Sequence, residues 1–332
     1  MDIQRLLTEG LFTATYKYAL LAALADLSIE LGDDSGEPLR LGTFALAEKF
    51  VEYYWGHAAP YNVPGEARVL RQNTGSQAKI IALVGEARTQ HGDSLPKMMR
   101  NGRAWNRLVR RVEAVVKLQP LWKLQTVGKE KLEFLYVAGT ADEIELRVGV
   151  AYCFRRFYPL VQDALRSAWL RDVRSMNGDL LGEVMDLREF LFGAERNALS
   201  LAKPLLSDLQ GGKCFYCLQP IRLNAGQVDH FIPWAKYPVD LAHNFVLADE
   251  RCNAKKRDRI AHVEHLSHWG ERNQNYGDEM TSAMKDRFAC DLPSAKRIAY
   301  WAYSQTEAAQ GLTWLRNNEL VVLLPAWRKY IP

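Results

Sequence analysis

The sequence is short of several things, and each shortage excludes something. Five cysteines in 332 residues, an odd number in a chain of this length, do not make a disulfide framework. No window approaches the roughly 20 uninterrupted apolar residues that a membrane-spanning helix needs. The opening stretch MDIQRLLTEGLFTATYKYALLAALADLSIE is partly apolar, but charges and tyrosines interrupt it. It lacks a basic start, an apolar core and a small-residue cleavage site in sequence, so it does not read as a signal peptide. No membrane partner is expected, and the cytoplasm is the expected compartment. Net charge is scarce too: 43 basic against 39 acidic side chains leave +4, which permits a nucleic-acid partner without arguing for one. Internal repeats and low-complexity segments are missing. What is left is an ordinary globular composition, long enough for two or three domains.

The first 200 residues read as mainly helical. Leu20, Leu21, Leu24, Leu27 and Leu31 recur at helical spacing up to Gly32-Asp33-Asp34, and TFALAEKFVEYYW predicts a second helix with Thr43 as N-cap and Gly56 near its end. Tyr61 to Gly75 reads as loop. In KMMRNGRAWNRLVRRVEAVVK (residues 97–117), Arg100, Arg103, Arg107 and Arg110 are spaced to share one helical face, and Trp105, Leu108, Val112 and Val115 another. LWKLQTV and LEFLYV around a VGKEK turn predict a hairpin. Helices followed by a hairpin suggest a winged-helix-like DNA-binding unit; a solvated basic face on a packing helix is the equally weighted alternative. A short strand near Ile144, a helix carrying Phe154, Phe157, Leu160, Leu165 and Trp169, and another from about Gly182 to Leu199 complete the region. Beyond residue 260 the expectation is helical again, through WAYSQTEAAQGLTWL to a docking tail, AWRKYIP.

The chemistry concentrates between these regions. GGKCFYCLQPI places Cys214 and Cys217 at C-x-x-C spacing after a Gly-Gly turn, a pattern shared by zinc knuckles and redox pairs. AGQVDHFIPWAKYP then sets Asp229 and His230 side by side in an otherwise apolar strand. HNFVLADERCNAKKRD follows, with Asn244, Asp249, Cys252, Asn253 and Lys256. The ordered set is far more specific than any member.

Residues 211–259 therefore resemble an HNH endonuclease domain, the ββα-metal fold found in bacterial restriction enzymes, homing enzymes, colicins and RNA-guided nucleases. The resemblance implies an α+β protein in three parts: residues 1–200 for substrate or partner recognition, 205–260 the nuclease domain, and 261–332 a C-terminal helical segment. It implies hydrolysis of DNA to 5′-phosphate and 3′-hydroxyl ends, with RNA as a rival substrate and a bare zinc-stabilised nucleic-acid-binding module as the non-enzymatic alternative. Context suggests restriction or anti-phage defence, with a possible protein partner there. His230, with an intrinsic pKa near 6.5, is the expected general base, and Asn244 the group that orients it. Asp229 and Asn253 are the expected oxygen ligands of a catalytic Mg2+ or Mn2+. Because neighbours on a regular strand face opposite ways, a bend is expected to bring Asp229 and His230 together. Lys256 is expected at the scissile phosphate, with Lys255 and Arg257 adding phosphate contacts.

The expected structural zinc ligands are Cys214, Cys217, Asp249 and Cys252, with Asp249 standing where zinc-binding relatives carry a cysteine. His262, His265 or Cys290 are alternative fourth ligands, and loss of the zinc is a third possibility. The blander expectations are a surface position for His262, His265 and His268, core thiols for Cys153 and Cys290, and packing roles for Trp234 and Tyr237.

Overall fold

The computed structural model describes residues 6, 13–63, 66–127, 130–178, 187–193, 199–222 and 225–331. They form a mixture of helices and small antiparallel sheets, an α+β protein, divided into two compact units, Met1–Gly193 and Ala194–Pro332. The C-terminal segment falls in the same unit as the Asp-His stretch.

In the first unit, helix α1 (Tyr16–Leu31) is apolar around almost its whole circumference and is buried on all sides, as such a helix must be. It packs against α2 (Thr43–His57), α6 (Val150–Arg156) and α7 (Tyr158–Met176). Strand β1 (Leu39–Gly42) pairs with β3 (Glu143–Leu146), which also pairs with β2 (Tyr136–Ala138), giving the sheet order β1-β3-β2. Between β1 and β2 lie α2, α3 (Lys79–His91), α4 (Leu95–Arg100) and α5 (Gly102–Leu118). The LWKLQTV stretch differs from its expected strand: Pro120–Lys123 is a helical turn, because proline suits a first helical position, and only Thr126–Val127 pairs, with Glu130–Lys131. Thr43 does not cap α2; its hydroxyl instead donates to the buried Glu113 carboxylate at 2.6 Å. Of the helix expected from Gly182 to Leu199, α8 (Leu187–Phe192) is seen, and 179–186 and 194–198 lie outside the described residues.

The basic face is also rearranged. Asn101 interrupts the helix and caps α5 by accepting from the Ala104 amide, so Arg100 belongs to α4 and not to the same face. Arg110 is held 2.8 Å from Glu113 and over the Phe44 ring. Arg103 and Arg107 remain exposed, while Trp105, Leu108, Val112 and Val115 are buried as expected.

The second unit begins with α9 (Lys203–Leu209), a knuckle at 213–220, and strands β4 (Gln227–His230) and β5 (Phe245–Ala248). Helix α10 (Glu250–Lys256) follows, then α11 (Val263–Met284) and α12 (Leu292–Ala308). Leu206, Phe245, Leu247, Met280 and Met284 form one apolar cluster, so α9 and α11 close over β5. The C-terminal segment is not purely helical. Gln310, at φ 50°, and Gly311 end α12, and GLTWL becomes β6 (Leu312–Arg316) of a hairpin with β7 (Glu319–Val322). Among the described residues no helix is long and apolar enough to cross a membrane.

Candidate active site and metal cluster

β4 and β5 pair in uninterrupted antiparallel register, Asp229 opposite Val246 and His230 opposite Phe245, and α10 packs on β4. The expected bend is absent from this ladder. Asp229 and His230 are both buried and have separate partners.

Asp229 meets two groups, both at Oδ2: the Tyr216 hydroxyl donates at 2.5 Å, and Lys256 Nζ sits at 3.0 Å. Its Oδ1 has no hydrogen-bond partner among the described residues. Lys256 also donates to the His230 carbonyl at 2.9 Å and lies 5.8 Å from the Tyr216 ring centre. It is fully buried, with its donors consumed inside the protein. That overturns the expectation that Lys256 meets the scissile phosphate: it is the counter-ion that makes a buried Asp229 tolerable.

His230 Nε2 lies 2.7 Å from Asp240 Oδ1. A carboxylate only accepts, so Nε2 carries the proton and Nδ1 is the basic nitrogen of the neutral ring. Phe245 and Trp234 pack against the imidazole at 5.2 and 5.4 Å, restricting its rotation. Trp234 is thus a packing residue, as is Tyr237 against Trp301. Asn244 acts one step away. Its amide accepts from Ile232 N at 2.8 Å and donates to Ile232 O at 2.9 Å, and its carbonyl accepts from Phe231 N. It fixes the backbone beyond His230; the ring itself is held by Asp240. The turn carrying Asn244 is in turn gripped by α11, whose Trp269, Arg272 and Asn273 all donate to the His243 carbonyl. Burial pushes the Arg272 guanidinium down to about 9.

Asn253 Nδ2 donates to Gln227 Oε1 at 2.7 Å, which leaves the amide oxygen without a partner among the described residues. Asp229 Oδ1 and Asn253 Oδ1 are the hard oxygen donors a divalent ion requires, so the chemistry of the pair fits such an ion.

The thiols form a second centre. Ligand atoms of Cys214, Cys217, Asp249 and Cys252 all lie within 4.8 Å of one another. Tetrahedral zinc with Zn–S bonds of about 2.3 Å needs its ligands about 3.8 Å apart, so three thiols and a carboxylate in this arrangement fit the ion. Positive φ at Gly211, Gly212 and Leu218 makes the tight turns that place Cys214 and Cys217. Asp249 divides its work: Oδ1 caps α10 by accepting from Cys252 N at 2.8 Å, and Oδ2 lies 3.1 Å from Cys217 Sγ. Burial acts to raise the Asp249 pKa, but hydrogen bonds from Cys214 and Cys252 outweigh it and hold the carboxyl well below its usual range. The alternative fourth ligands are engaged elsewhere: His262 caps α11, His265 bonds the Leu315 carbonyl, and Cys290 faces Thr281 and Phe288 carbonyls. His265 is buried and Cys153 exposed, both contrary to the sequence expectation.

Residues 214–262 match the family model described as HNH endonuclease. The chain therefore carries an HNH endonuclease domain, spanning the knuckle, both strands and α10. No curated protein and no solved structure matches the chain significantly.

Three supporting residues were not singled out from sequence. Asp240 lay unmarked in YPVDLAHN, four residues before Asn244; Tyr216 sat inside the C-x-x-C; Gln227 opened the strand. The signal for Tyr216 was a polar-tipped aromatic between two ligands, which usually finds a hydrogen-bond partner when buried.

Proposed function

We propose that this chain is a metal-dependent endonuclease that hydrolyses DNA phosphodiester bonds, with His230 as general base. One observation carries the reading. In a matched HNH domain, Asp229 Oδ1, His230 Nδ1 and Asn253 Oδ1 have no partner among the described residues, while every opposing atom of those side chains is tied down. Each is an acceptor left open on a side chain whose other end is fixed, which is what a general base and two oxygen ligands need.

His230 Nδ1 takes a proton from the attacking water. Asp240 keeps the ring in the tautomer that leaves Nδ1 basic and stabilises the imidazolium as it forms. Asn244 and the α11 residues hold the backbone on which that ring is mounted. A Mg2+ or Mn2+ ion held by Asp229 and Asn253 would supply Lewis-acid charge at the phosphate. Cys214, Cys217, Asp249 and Cys252 would hold a structural zinc, fastening the knuckle to the start of α10. Lys255 and Arg257, both exposed, are read as phosphate contacts.

The first unit is read as the winged-helix-like DNA-binding part. Its sheet order β1-β3-β2, with β1 between α1 and α2 and the β2–β3 hairpin after α5, supports this. Arg103 and Arg107 are then the DNA-facing cations of α5. A role in restriction or anti-phage defence rests on the resemblance alone.

The test is cleavage of supercoiled plasmid by the purified chain with Mg2+ or Mn2+, beside His230→Ala and an EDTA control. Nicked or linear product that disappears in both controls is expected. Product from His230→Ala would refute the assignment of the base, and degradation of RNA with the plasmid intact would reassign the substrate.

A further inference from the structure

The HNH match ends at residue 262, but the cleft beside its last helix does not belong to the matched span alone. A cleft of about 250 Å3 lies between the end of α10 and the β6–β7 hairpin, lined by Lys255, Arg257, Arg259, Trp314, Asn317 and Asn318. At about 30 Å3 per water it has room for about eight waters, enough for a phosphodiester group. No carboxylate lines it.

The hairpin is fixed to the nuclease domain at both its base and its tip. Trp314 N donates to Ile260 O and His262 N to Trp314 O, while Lys255 Nζ donates to Asn318 Oδ1 at 3.0 Å. Trp314 itself is buried against the edge of Tyr216, the residue whose hydroxyl holds Asp229. The wall of the cleft and the carboxylate of the active site thus share one aromatic support.

The cations are unspent. Among the described residues none of Lys255, Arg257 and Arg259 has an ion-pair partner. Arg257 donates to Ala254 O and Arg259 to Lys255 O, which satisfies carbonyls at the end of α10. Capping alone does not explain the choice of residue. Arg257 stands at φ 52°, ψ −125°, a conformation disfavoured for any side-chain-bearing residue and free to glycine, the usual residue there. A strained arginine where glycine would serve, facing a cleft whose polar lining is cationic or amide, is the signature of an anion site.

We propose that this cleft holds a backbone phosphate of the nucleic-acid strand beside the bond being cut, with the C-terminal hairpin as its outer wall. The inference rests on the nuclease reading for its ligand but is tested without cleavage. Fluorescence anisotropy of a labelled 20-base-pair DNA duplex, with the full zinc-loaded chain and no Mg2+ or Mn2+, is followed from 50 to 200 mM KCl. Arg257→Gly, which removes the cation and relieves the backbone, and Arg259→Gln are each compared with the unchanged chain. Each is expected to lower the slope of log affinity against log salt by about 0.9, and the pair together to weaken binding at least tenfold at 100 mM KCl. Melting temperatures should be unchanged or, for Arg257→Gly, higher. Unchanged slope and affinity in the folded double variant, or no salt-dependent binding by the unchanged chain, would overturn the proposal. A thermal shift produced by inorganic phosphate and lost in Arg257→Gly, with the DNA salt slope unchanged in that variant, would also overturn it, assigning the cleft to a free phosphate compound. Plasmid cleavage with an unaltered salt slope would sink the cleft and leave the nuclease standing; a reduced slope without cleavage would do the reverse.

Discussion

Each unit buries an aspartate under a tyrosine hydroxyl with a lysine close by, and the two are built to opposite ends. In the first unit, Asp26 is saturated: Oδ1 accepts from Tyr158 and Gln162, and Oδ2 from Tyr53, at 2.6–3.0 Å. Burial raises its pKa, against the pull of Lys49 and the tyrosines. In the second, Asp229 receives Tyr216 and Lys256 on one oxygen and leaves the other open. The first arrangement has nothing left to offer a ligand and ties α1, α2 and α7 together. The second keeps one acceptor open, on the strand that also carries His230. Burial and the neighbouring tyrosine and lysine are common to the two carboxylates; the occupancy of individual oxygens is what differs.

That contrast can be pushed from several sides. The bluntest perturbation is disruption of the Cys214, Cys217, Asp249 and Cys252 cluster that is proposed to hold zinc. Cys214→Ser, or a strong chelator, should melt the second unit, because structural zinc in small domains is worth about 10–16 kcal/mol. Calorimetry should show that transition lost with the first unit's intact, and elemental analysis should give one zinc per unchanged chain. Next, His230→Ala should lower the cleavage rate by about 10²–10⁴ without moving the melting temperature, and Asp240→Asn should take part of that loss. Lys256→Met leaves Asp229 without its cation and should cost about 3–5 kcal/mol in urea unfolding, where an exposed phosphate-binding lysine would cost almost nothing.

The first unit supplies a pH test. Burial pushes His57 down from 6.5 to about 4, with its Nε2 on the Leu191 carbonyl. The unfolded chain therefore takes up the proton first, so stability is full above pH 6.5 and falls between 6.5 and about 4, by about 3 kcal/mol. His57→Gln should flatten that slope. Smallest of all, Arg103→Ala should weaken DNA binding several-fold and lower its salt slope by about 0.9, leaving melting unchanged.

The matched domain was legible from Asp229-His230, Asn244, Asn253 and the cysteines because those residue types stand at fixed local spacing. Asp249 was legible too, since its position fell where a ligand was missing. Asp240 was not, because closure of the loop from 231 to 241 decides which carboxylate meets the imidazole. Lys256 was misread for a related reason: a lysine two turns into a charged helix looks solvent-bound until Tyr216 and Asp229 are seen beneath it. In the first unit the helices announced themselves by period, but β1 pairs with residues about a hundred positions away, and no local pattern records that. The C-terminal hairpin did carry a signal. Asn317-Asn318 between TWL and LVV is a two-residue turn of the sort that joins strands, and the helical look of the preceding WAYSQTEAAQ obscured it.

The most direct test of the open-oxygen account is Mn2+ binding, read by electron paramagnetic resonance on the zinc-loaded full chain, with Asp229→Asn and Asp26→Asn alongside. The account predicts a Mn2+ site that Asp229→Asn weakens at least tenfold and Asp26→Asn leaves untouched. Equal binding by all three, or loss only in Asp26→Asn, would contradict it.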